Sequence, residues 1–338
     1  MTLAAMLMTM SLMAQGTYDA APTAHKPVVQ KSKKARLMSV KERQKTSMHR
    51  TPSLSQFQGL TIYATLKNSD NWSGASIASV PYGIYTYTIG EDLDFQAVST
   101  DLNFNYMASA MGRKEMIGVR PMELFGTLTG VEYDGLDSLH FKQQWAEVIS
   151  SEEANFSYIP SVMAYDITSD IIYSAQYNAD LTGLNWSKWN PVTRRFDIIH
   201  KWNNDFQPLT LACLPNGQFY CVGADGFYYE IDKQTGDASM LGQLGIEPTL
   251  YVQSMNYEPQ SGYFVWMAVS QSGSGIYALN PADGETTLIR RLSKNEQAST
   301  LFFKGNKAPA KAPAAPINLK MNYSGNGTTT GNLTFAIP

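Results

Sequence analysis

The chain has few of the residues that build metal or covalent sites. Of its 338 residues only two are cysteine and four are histidine. The histidines are scattered, so no zinc-ligand spacing arises. No apolar stretch reaches membrane-spanning length, and helical periodicity is almost absent. We therefore expect a globular all-β protein with no integral membrane segment, no metal and no cofactor.

Catalytic signatures are also missing. The sequence contains no HExxH, GxSxG or P-loop pattern. A glycosidase would need two convergent carboxylates, and the 29 acidic residues, mostly on turns, single out no pair. The stretch NSDNWSG (68–74) has some likeness to calcium loops and to the Asp-box of sialidases, but its spacing fits neither, which favours a polar turn. We assign no catalytic residue.

Charge is unevenly distributed along the chain. Residues 26–50 hold nine Lys or Arg against Glu42, a local charge of +8, and the total of −3 leaves −11 for the remainder. An acidic body does not suit nucleic acid or an anionic membrane. The basic run has neither apolar periodicity nor interleaved aromatics. We therefore interpret residues 16–56 as a solvated basic linker and expect no nucleic-acid partner.

The first residues, MTLAAMLMTMSLMAQG, have the length and apolar character of a signal-peptide core with a small residue near its end. The usual Lys or Arg of such a leader is missing, so the start is displaced by a few codons or the gene is a fragment. Residues 1–15 predict a signal peptide, and hence export to the periplasm, cell surface or extracellular space.

One structural unit recurs along the chain. GFYYEIDKQTGDASMLGQLG (226–245) and GIYALNPADGETTLIRRL (275–292) each show an alternating run, an Asp or Asn, a turn ending in Gly and a second short run. Matching strand ends recur at spacings of 48, 42, 56 and 46 residues, at Leu279-Asn280, Ile231-Asp232, Trp189-Asn190, Tyr133-Asp134 and Tyr87-Thr88. Asn and Asp suit this position because their side chains start tight turns. Hairpins precede these units, which predicts four short strands in each.

Sheets with two apolar faces must be packed between copies of themselves, and repeats of about 40–50 residues around an axis form a β-propeller. QASTLFF (297–303) matches the first strand of a repeat, but the other three strands do not follow it. The N-terminal repeat has the later strands of a unit but lacks the first one. Together the two segments would complete one blade. We predict a propeller over residues 57–306 with five four-stranded blades, closed by this C-terminal strand. Six blades are the alternative if 99–160 contains a poorly matching unit.

The phrases YYEIDKQTGD and IYALNPADGE resemble the LYAIDPxTGE blades of quinoprotein-like and surface-layer propellers, best over 163–303. Residues 307–316 resemble a Pro/Ala linker, and 317–338 resemble a truncated fibronectin type III domain. This order is similar to that of large exported proteins of gut Bacteroidota. The resemblance implies a secreted or cell-surface role. It carries no catalytic site, because quinoprotein enzymes need eight blades, a Trp floor and calcium.

The two cysteines flank a hairpin that turns at Pro215-Asn216-Gly217. With a three-residue loop, Cys213 faces Phe219 and Cys221 lies one diagonal step away. Two interpretations are possible at this point. Cys213 and Cys221 form a strained disulfide, or both are small side chains buried in the core.

The tryptophans divide into core and surface. Trp186 and Trp189 occupy columns that the other repeats fill with large apolar residues, so we expect them in the blade core. Trp72 has no such column and lies in a long polar loop. It is the aromatic residue we expect to be exposed.

The alternating direction of the strands predicts which side of the ring carries a binding site. In an up-and-down blade, the loop between strands two and three leaves on the same side as the connection to the next blade. These segments are the long ones here, and variable loops on a rigid scaffold often carry binding sites. The expected ligand-binding residues are Asp70, Asn71, Trp72, Arg120, Glu123, Asn178, Asp180 and Asp225. We expect a monomeric, non-catalytic binding or adhesion module for a glycan or protein; the alternative is a secreted hydrolase acting on polysaccharide or glycoprotein.

Overall fold

The computed structural model describes residues 52–303 apart from 68–81, 91–95, 103, 105, 122–125, 134–139, 150–159, 178–182, 203–205 and 293–295. The expected signal peptide, Pro/Ala linker and fibronectin-like segment lie outside the described residues, as does the basic linker up to residue 51. No helix within the described part is long and apolar enough to cross a membrane. One turn of 3-10 helix, Leu54–Phe57, precedes the first strand.

The remaining regular structure of the described residues is β-strand. The strands are β1 (Thr61–Lys67), β2 (Gly83–Thr88), β3 (Gln96–Ser99), β4 (Ala108–Met111), β5 (Glu115–Pro121), β6 (Gly126–Tyr133), β7 (Phe141–Ile149), β8 (Pro160–Asp166), β9 (Ile171–Tyr177), β10 (Leu184–Asn190), β11 (Arg195–Lys201), β12 (Pro208–Cys213), β13 (Phe219–Gly223), β14 (Phe227–Ile231), β15 (Ala238–Gln243), β16 (Ser254–Glu258), β17 (Tyr263–Ser270), β18 (Gly273–Leu279), β19 (Thr286–Arg291) and β20 (Gln297–Phe303).

These strands form five antiparallel sheets of four strands each. Blades 2 to 5 are β4–β7, β8–β11, β12–β15 and β16–β19, and blade 1 is β20-β1-β2-β3. The C-terminal strand β20 therefore supplies the innermost strand of the blade that the N-terminal strands complete. The prediction of a five-bladed propeller closed by residues 297–303 is confirmed, and the long 99–160 region holds one blade.

The innermost strands β4, β8, β12, β16 and β20 contact one another in a closed ring around the axis. Buried hydroxyl groups join blades 1 and 2 beside β20. The Thr65 and Ser109 hydroxyls each lie within hydrogen-bond distance of the Ser299 hydroxyl, at 2.7 and 2.9 Å. The Thr300 N–H donates to Thr65 Oγ1 at 2.8 Å. The closing strand is thus held by its sheet ladder and by side chains of a neighbouring blade.

The core consists of apolar layers between adjacent blades, because each sheet has two apolar faces. Trp186, with 0% of its surface exposed, packs between blades 3 and 4, and Trp189 packs between blades 2 and 3. Both tryptophans are core residues, as their repeat columns predict.

The repeated Asp/Asn turn has a direct structural explanation. Asp232 Oδ1 accepts hydrogen bonds from the backbone N–H groups of Gln234 and Thr235, and Gly236 follows with φ +76°. Asn280 and Gly284 repeat this arrangement in blade 5. In blade 3, Arg194 occupies the glycine position with φ +51°.

Gly236 is required by backbone conformation and by space. A Cβ built there would lie 2.5 Å from His200 Cβ, whereas one at Gly226, with φ +78°, would meet nothing within 4 Å. We expect Gly236→Ala to lower the free energy of unfolding by about 3 kcal/mol and Gly226→Ala by about 1 kcal/mol, the left-handed strain alone. Urea denaturation of the two variants measures the difference. Equal losses would show that the turn does not press on blade 3.

Two hydrogen bonds link the turns to preceding blades. Trp186 Nε1 donates to the Lys233 carbonyl at 3.1 Å, and the Tyr228 hydroxyl donates to the Pro281 carbonyl at 3.1 Å. Lys233 and Pro281 hold the same place in their repeats. The shared column therefore combines apolar packing with a polar contact between blades, which periodicity alone does not reveal.

Candidate functional site

The ring has two distinct faces. We call the loop face the side of the ring at which the second strand of each blade ends and the third strand begins. The fourth strand of each blade also ends there, and the first strand begins there. The described segments 224–226, 244–253 and 271–272 lie on this side. The opposite side, the turn face, carries the first-to-second and third-to-fourth strand turns. Tight turns such as 214–218 and 232–237 lie there.

Most of the residues predicted to bind a ligand are not described. Asp70, Asn71, Trp72, Glu123, Asn178 and Asp180 lie outside the described residues. The two that are described, Arg120 and Asp225, are both at the loop face. Arg120 is the sixth residue of β5, and its Nη2 donates to Gln143 Oε1 at 2.7 Å.

A small cavity lies on the ring axis. It has a volume of about 10 Å³, enough for one water molecule. Residues from all five blades line it: Met107, Ala108, Ser161, Val162, Met163, Thr210, Leu211, Gln253, Ser254 and Ser299. Every one of these side chains is neutral, so the cavity can donate and accept hydrogen bonds but none of its lining residues can act as a general acid or base.

Several buried polar atoms near the loop face have no hydrogen-bond partner. They belong to Arg120 (Nε), Gln176 (Nε2 and Oε1), Asn185 (Oδ1), Thr210 (Oγ1) and Ser274 (Oγ). Each of these residues lies within three positions of the loop-face end of its strand. Gln176 and Asn185 face each other across β9 and β10, at the base of the loop predicted to carry Asn178 and Asp180. Each buried polar group without a partner lowers the free energy of unfolding by about 1–3 kcal/mol. Such groups are rare in folded proteins, and a ligand or an ordered water is a common reason for them.

Two buried carboxylates on the turn face, Glu258 and Asp166, accept several hydrogen bonds by comparison. Glu258 accepts from the backbone N–H groups of Gln260 and Ser261. Asp166 is fully buried and forms a 2.7 Å ion pair with Lys233. Burial alone would raise its pKa, but hydrogen bonds from Lys233, Ser169 and Thr168 outweigh burial, so the pKa of Asp166 is lowered. This pair joins the turns of blades 3 and 4.

On the turn face, Tyr87 and Asp283 are held by other contacts. The Arg290 guanidinium lies over the Tyr87 ring at 5.3 Å, and Asp283 Oδ1 accepts from the Glu285 N–H at 3.0 Å. Apart from Tyr87 and Asp283, the described residues with a buried side-chain atom that lacks a hydrogen-bond partner all lie near the loop-face ends of their strands.

Asp225 is an exposed carboxylate at the loop between β13 and β14. Its Oδ1 accepts from the Phe227 N–H at 3.2 Å, and its Oδ2 accepts from the Tyr229 hydroxyl at 2.5 Å. Burial and the bond to Asp225 raise the pKa of Tyr229, so this hydroxyl remains a donor at neutral pH. Asp225 is thus held in place with lone pairs left for a further donor.

Half-buried aromatics lie between blades 3 and 4, in the core layer that Asp225 contacts through Tyr229. Tyr177, Phe206 and Phe227 pack against the same interblade core. Tyr177 is hydrogen-bonded to Gln207, and burial raises the pKa of its hydroxyl. The Gln207 carbonyl accepts from the Ala224 N–H at 2.9 Å, which ties the interblade connection to the Asp225 loop. We name Tyr177, Phe206, Gln207, Asp225 and Phe227 the aromatic patch.

Asp225 was among the residues predicted from the sequence to bind a ligand, and that assignment stays a prediction. The other members of the aromatic patch were not among them. Phe206 and Gln207 lie in a connection with no repeat column, and Tyr177 and Phe227 look like ordinary strand residues. Gln176 differs from the residues at the matching strand position of the other blades, which are Leu66, Gly118, Gly223 and Ala268. A large polar side chain at this position is the one indication that the sequence offered.

Both cysteines are free thiols. Cys213 pairs with Phe219 and Cys221 with Leu211 across β12 and β13, the diagonal arrangement that the hairpin predicts. Burial, followed by the nearby Asp225 charge, raises the pKa of Cys221 well above its usual value. Burial likewise raises the pKa of Cys213. These side chains behave as buried apolar groups rather than nucleophiles.

Across the described residues, no group of three or more His, Cys, Asp and Glu side chains is arranged to hold a metal ion. The arrangement at the loop face offers neutral hydrogen-bonding groups, a positioned carboxylate and aromatic surface. These are groups that bind a ligand and orient it.

No protein-family model matches the chain, and no curated protein matches it. A solved protein from Lactobacillus plantarum is 12% identical, with 69% of this chain and 67% of that chain covered and a TM-score of 0.34. A structural genomics protein of unknown function from Bacteroides thetaiotaomicron is 11% identical, with 68% and 49% covered and a TM-score of 0.37. The present chain thus spans about half of that protein. The nidogen/laminin complex is 9% identical, with 72% and 98% covered and a TM-score of 0.44. These likenesses concern the fold alone.

Proposed function

We propose that this chain is a non-catalytic binding or adhesion module and that it binds a glycan or a protein with its loop face. The observation that carries the proposal is the set of buried, unpartnered polar atoms at the loop-face ends of the strands, contributed by Arg120, Gln176, Asn185, Thr210 and Ser274. A folded protein keeps such groups where a ligand or ordered water satisfies them.

Binding is favoured over hydrolysis because the axial cavity has neutral walls. A secreted hydrolase acting on polysaccharide or glycoprotein is the alternative, and it would need two carboxyl groups about 5 to 10 Å apart at the reacting bond. Asp225, the carboxylate described at the aromatic patch, accepts one hydrogen bond on each oxygen and can accept from a further donor. It is suited to hold a hydroxyl group of a ligand.

The proposed place of action is the periplasm, cell surface or extracellular space. The signal-peptide pattern of residues 1–15 and the resemblance to exported propeller proteins support it. A monomer is proposed because the ring closes on itself, which leaves no blade face open.

The loop-face assignment predicts a mutational effect. Once a glycan array or a panel of purified matrix proteins yields a ligand, the double variant Asp70→Ala with Trp72→Ala should bind it at least tenfold more weakly, about 1.4 kcal/mol. Isothermal titration measures this change.

The matched control is Val192→Ser on the turn face, where the Val192 side chain is 91% exposed. This variant should bind like the wild type. Full binding by the double variant, with loss in turn-face variants, would place the ligand on the opposite side of the ring.

A further inference from the structure

We propose that the aromatic patch binds a neutral carbohydrate. The inference rests on the proposed function and names its ligand class and contact residues. It is carried by the contacts that hold the five side chains, all of which are described.

The aromatic surface is rigid. The Phe206 ring packs edge-on against Trp202 at 4.9 Å and against Tyr229 at 5.0 Å. Trp202 is itself anchored, because its Nε1 donates to the Gly236 carbonyl at 2.7 Å. Rings held in this way, with part of their surface open to solvent, offer apolar area at little entropic cost. The C–H face of a pyranose is an apolar surface of matching size.

Polar groups stand beside these rings. Asp225 keeps acceptor capacity beyond its bonds to Phe227 and Tyr229, and Gln207 carries an amide that both donates and accepts. Sugar hydroxyls likewise donate and accept, so they match a carboxylate next to an amide. A few placed polar groups within an aromatic lining are the usual composition of a small-ligand site.

Charge decides between neutral and anionic sugars. Asp225 is the charged member of the patch, and the chain outside residues 26–50 carries a net −11. A uronate or sulfate would meet repulsion at this point. The residues that line the axial cavity are neutral as well, so no cationic group there would favour an anionic sugar.

The test uses the full chain in affinity electrophoresis through gels that contain dextran, laminarin, arabinan or xyloglucan, and in parallel polygalacturonate or chondroitin sulfate. We expect at least one neutral polysaccharide to retard the protein. Trp202, in contact with Phe206, should report binding of the corresponding oligosaccharide by a change in tryptophan fluorescence.

Asp225→Asn and Phe227→Ala should each weaken that binding at least tenfold. Asp225→Asn keeps the shape of the side chain and one acceptor, so it separates loss of binding from loss of fold. Val192→Ser on the turn face should be retarded like the wild type.

Retardation by none of the neutral polysaccharides would overturn the inference, as would retardation that both patch variants retain. Binding to a protein or an anionic glycan that is lost in the Asp70→Ala with Trp72→Ala variant would overturn the assignment of a neutral carbohydrate while leaving the proposed function intact.

Discussion

A chain that ends at Ser293 should melt far below one that ends at Lys307. The shorter chain lacks β20, the innermost strand of blade 1, and all seven side chains of β20 are buried. Leu301 and Phe303 belong to the core layer shared with blade 5, whereas Phe302 belongs to the layer shared with blade 2. Burying these three is worth about 5–9 kcal/mol before entropy is counted.

That amount is comparable to the whole stability of a domain, so we expect loss of cooperative unfolding or a melting temperature lower by tens of degrees. Differential scanning calorimetry of the two chains measures it. The Lys307 chain is the control, since it also lacks the C-terminal segment but retains β20. Equal melting temperatures would show that ring closure does not hold the propeller together.

Trp186→Ala should give the largest loss among single core substitutions between blades 3 and 4, about 3–5 kcal/mol. The indole is fully buried and packs against Tyr173 at 5.3 Å, Phe219 at 5.2 Å and Trp202 at 5.8 Å. Its removal leaves a cavity and also takes away the hydrogen bond to Lys233. Chemical denaturation followed by far-UV circular dichroism measures the loss.

Two conservative variants separate packing from hydrogen bonding. Trp186→Phe keeps an aromatic ring, and Tyr228→Phe in the next blade removes only the hydroxyl that reaches Pro281. Tyr228→Phe should cost about 1 kcal/mol, the net value of one hydrogen bond. Trp186→Phe should fall between this value and that of Trp186→Ala. A loss below 1 kcal/mol for Trp186→Ala would mean that this column does not join the blades.

Local sequence determined the repeat, the strand count and the turns. Strand alternation is a property of neighbouring residues, so it shows in the sequence as a period of two. The Asp/Asn and Gly positions are equally local, because a turn closes within five residues, as at Asp232 and Gly236. Ring closure could also be predicted from the sequence. The first strand of one blade lies at the C-terminal end of the repeats, and the other strands of that blade lie at the N-terminal end.

Only the tertiary structure decided which groups meet. The Asp166 and Lys233 pair joins residues 67 positions apart, and the hydroxyls of Thr65 and Ser299 meet across 234 positions. The alternation of apolar and polar residues shows on which side of a strand a residue lies. Which blade packs against that side depends on how the ring is assembled. The aromatic patch has the same origin. Tyr177 comes from blade 3, Phe206 from the connection to blade 4, and Phe227 from blade 4. No pattern along the chain indicates that packing brings these three residues to one core.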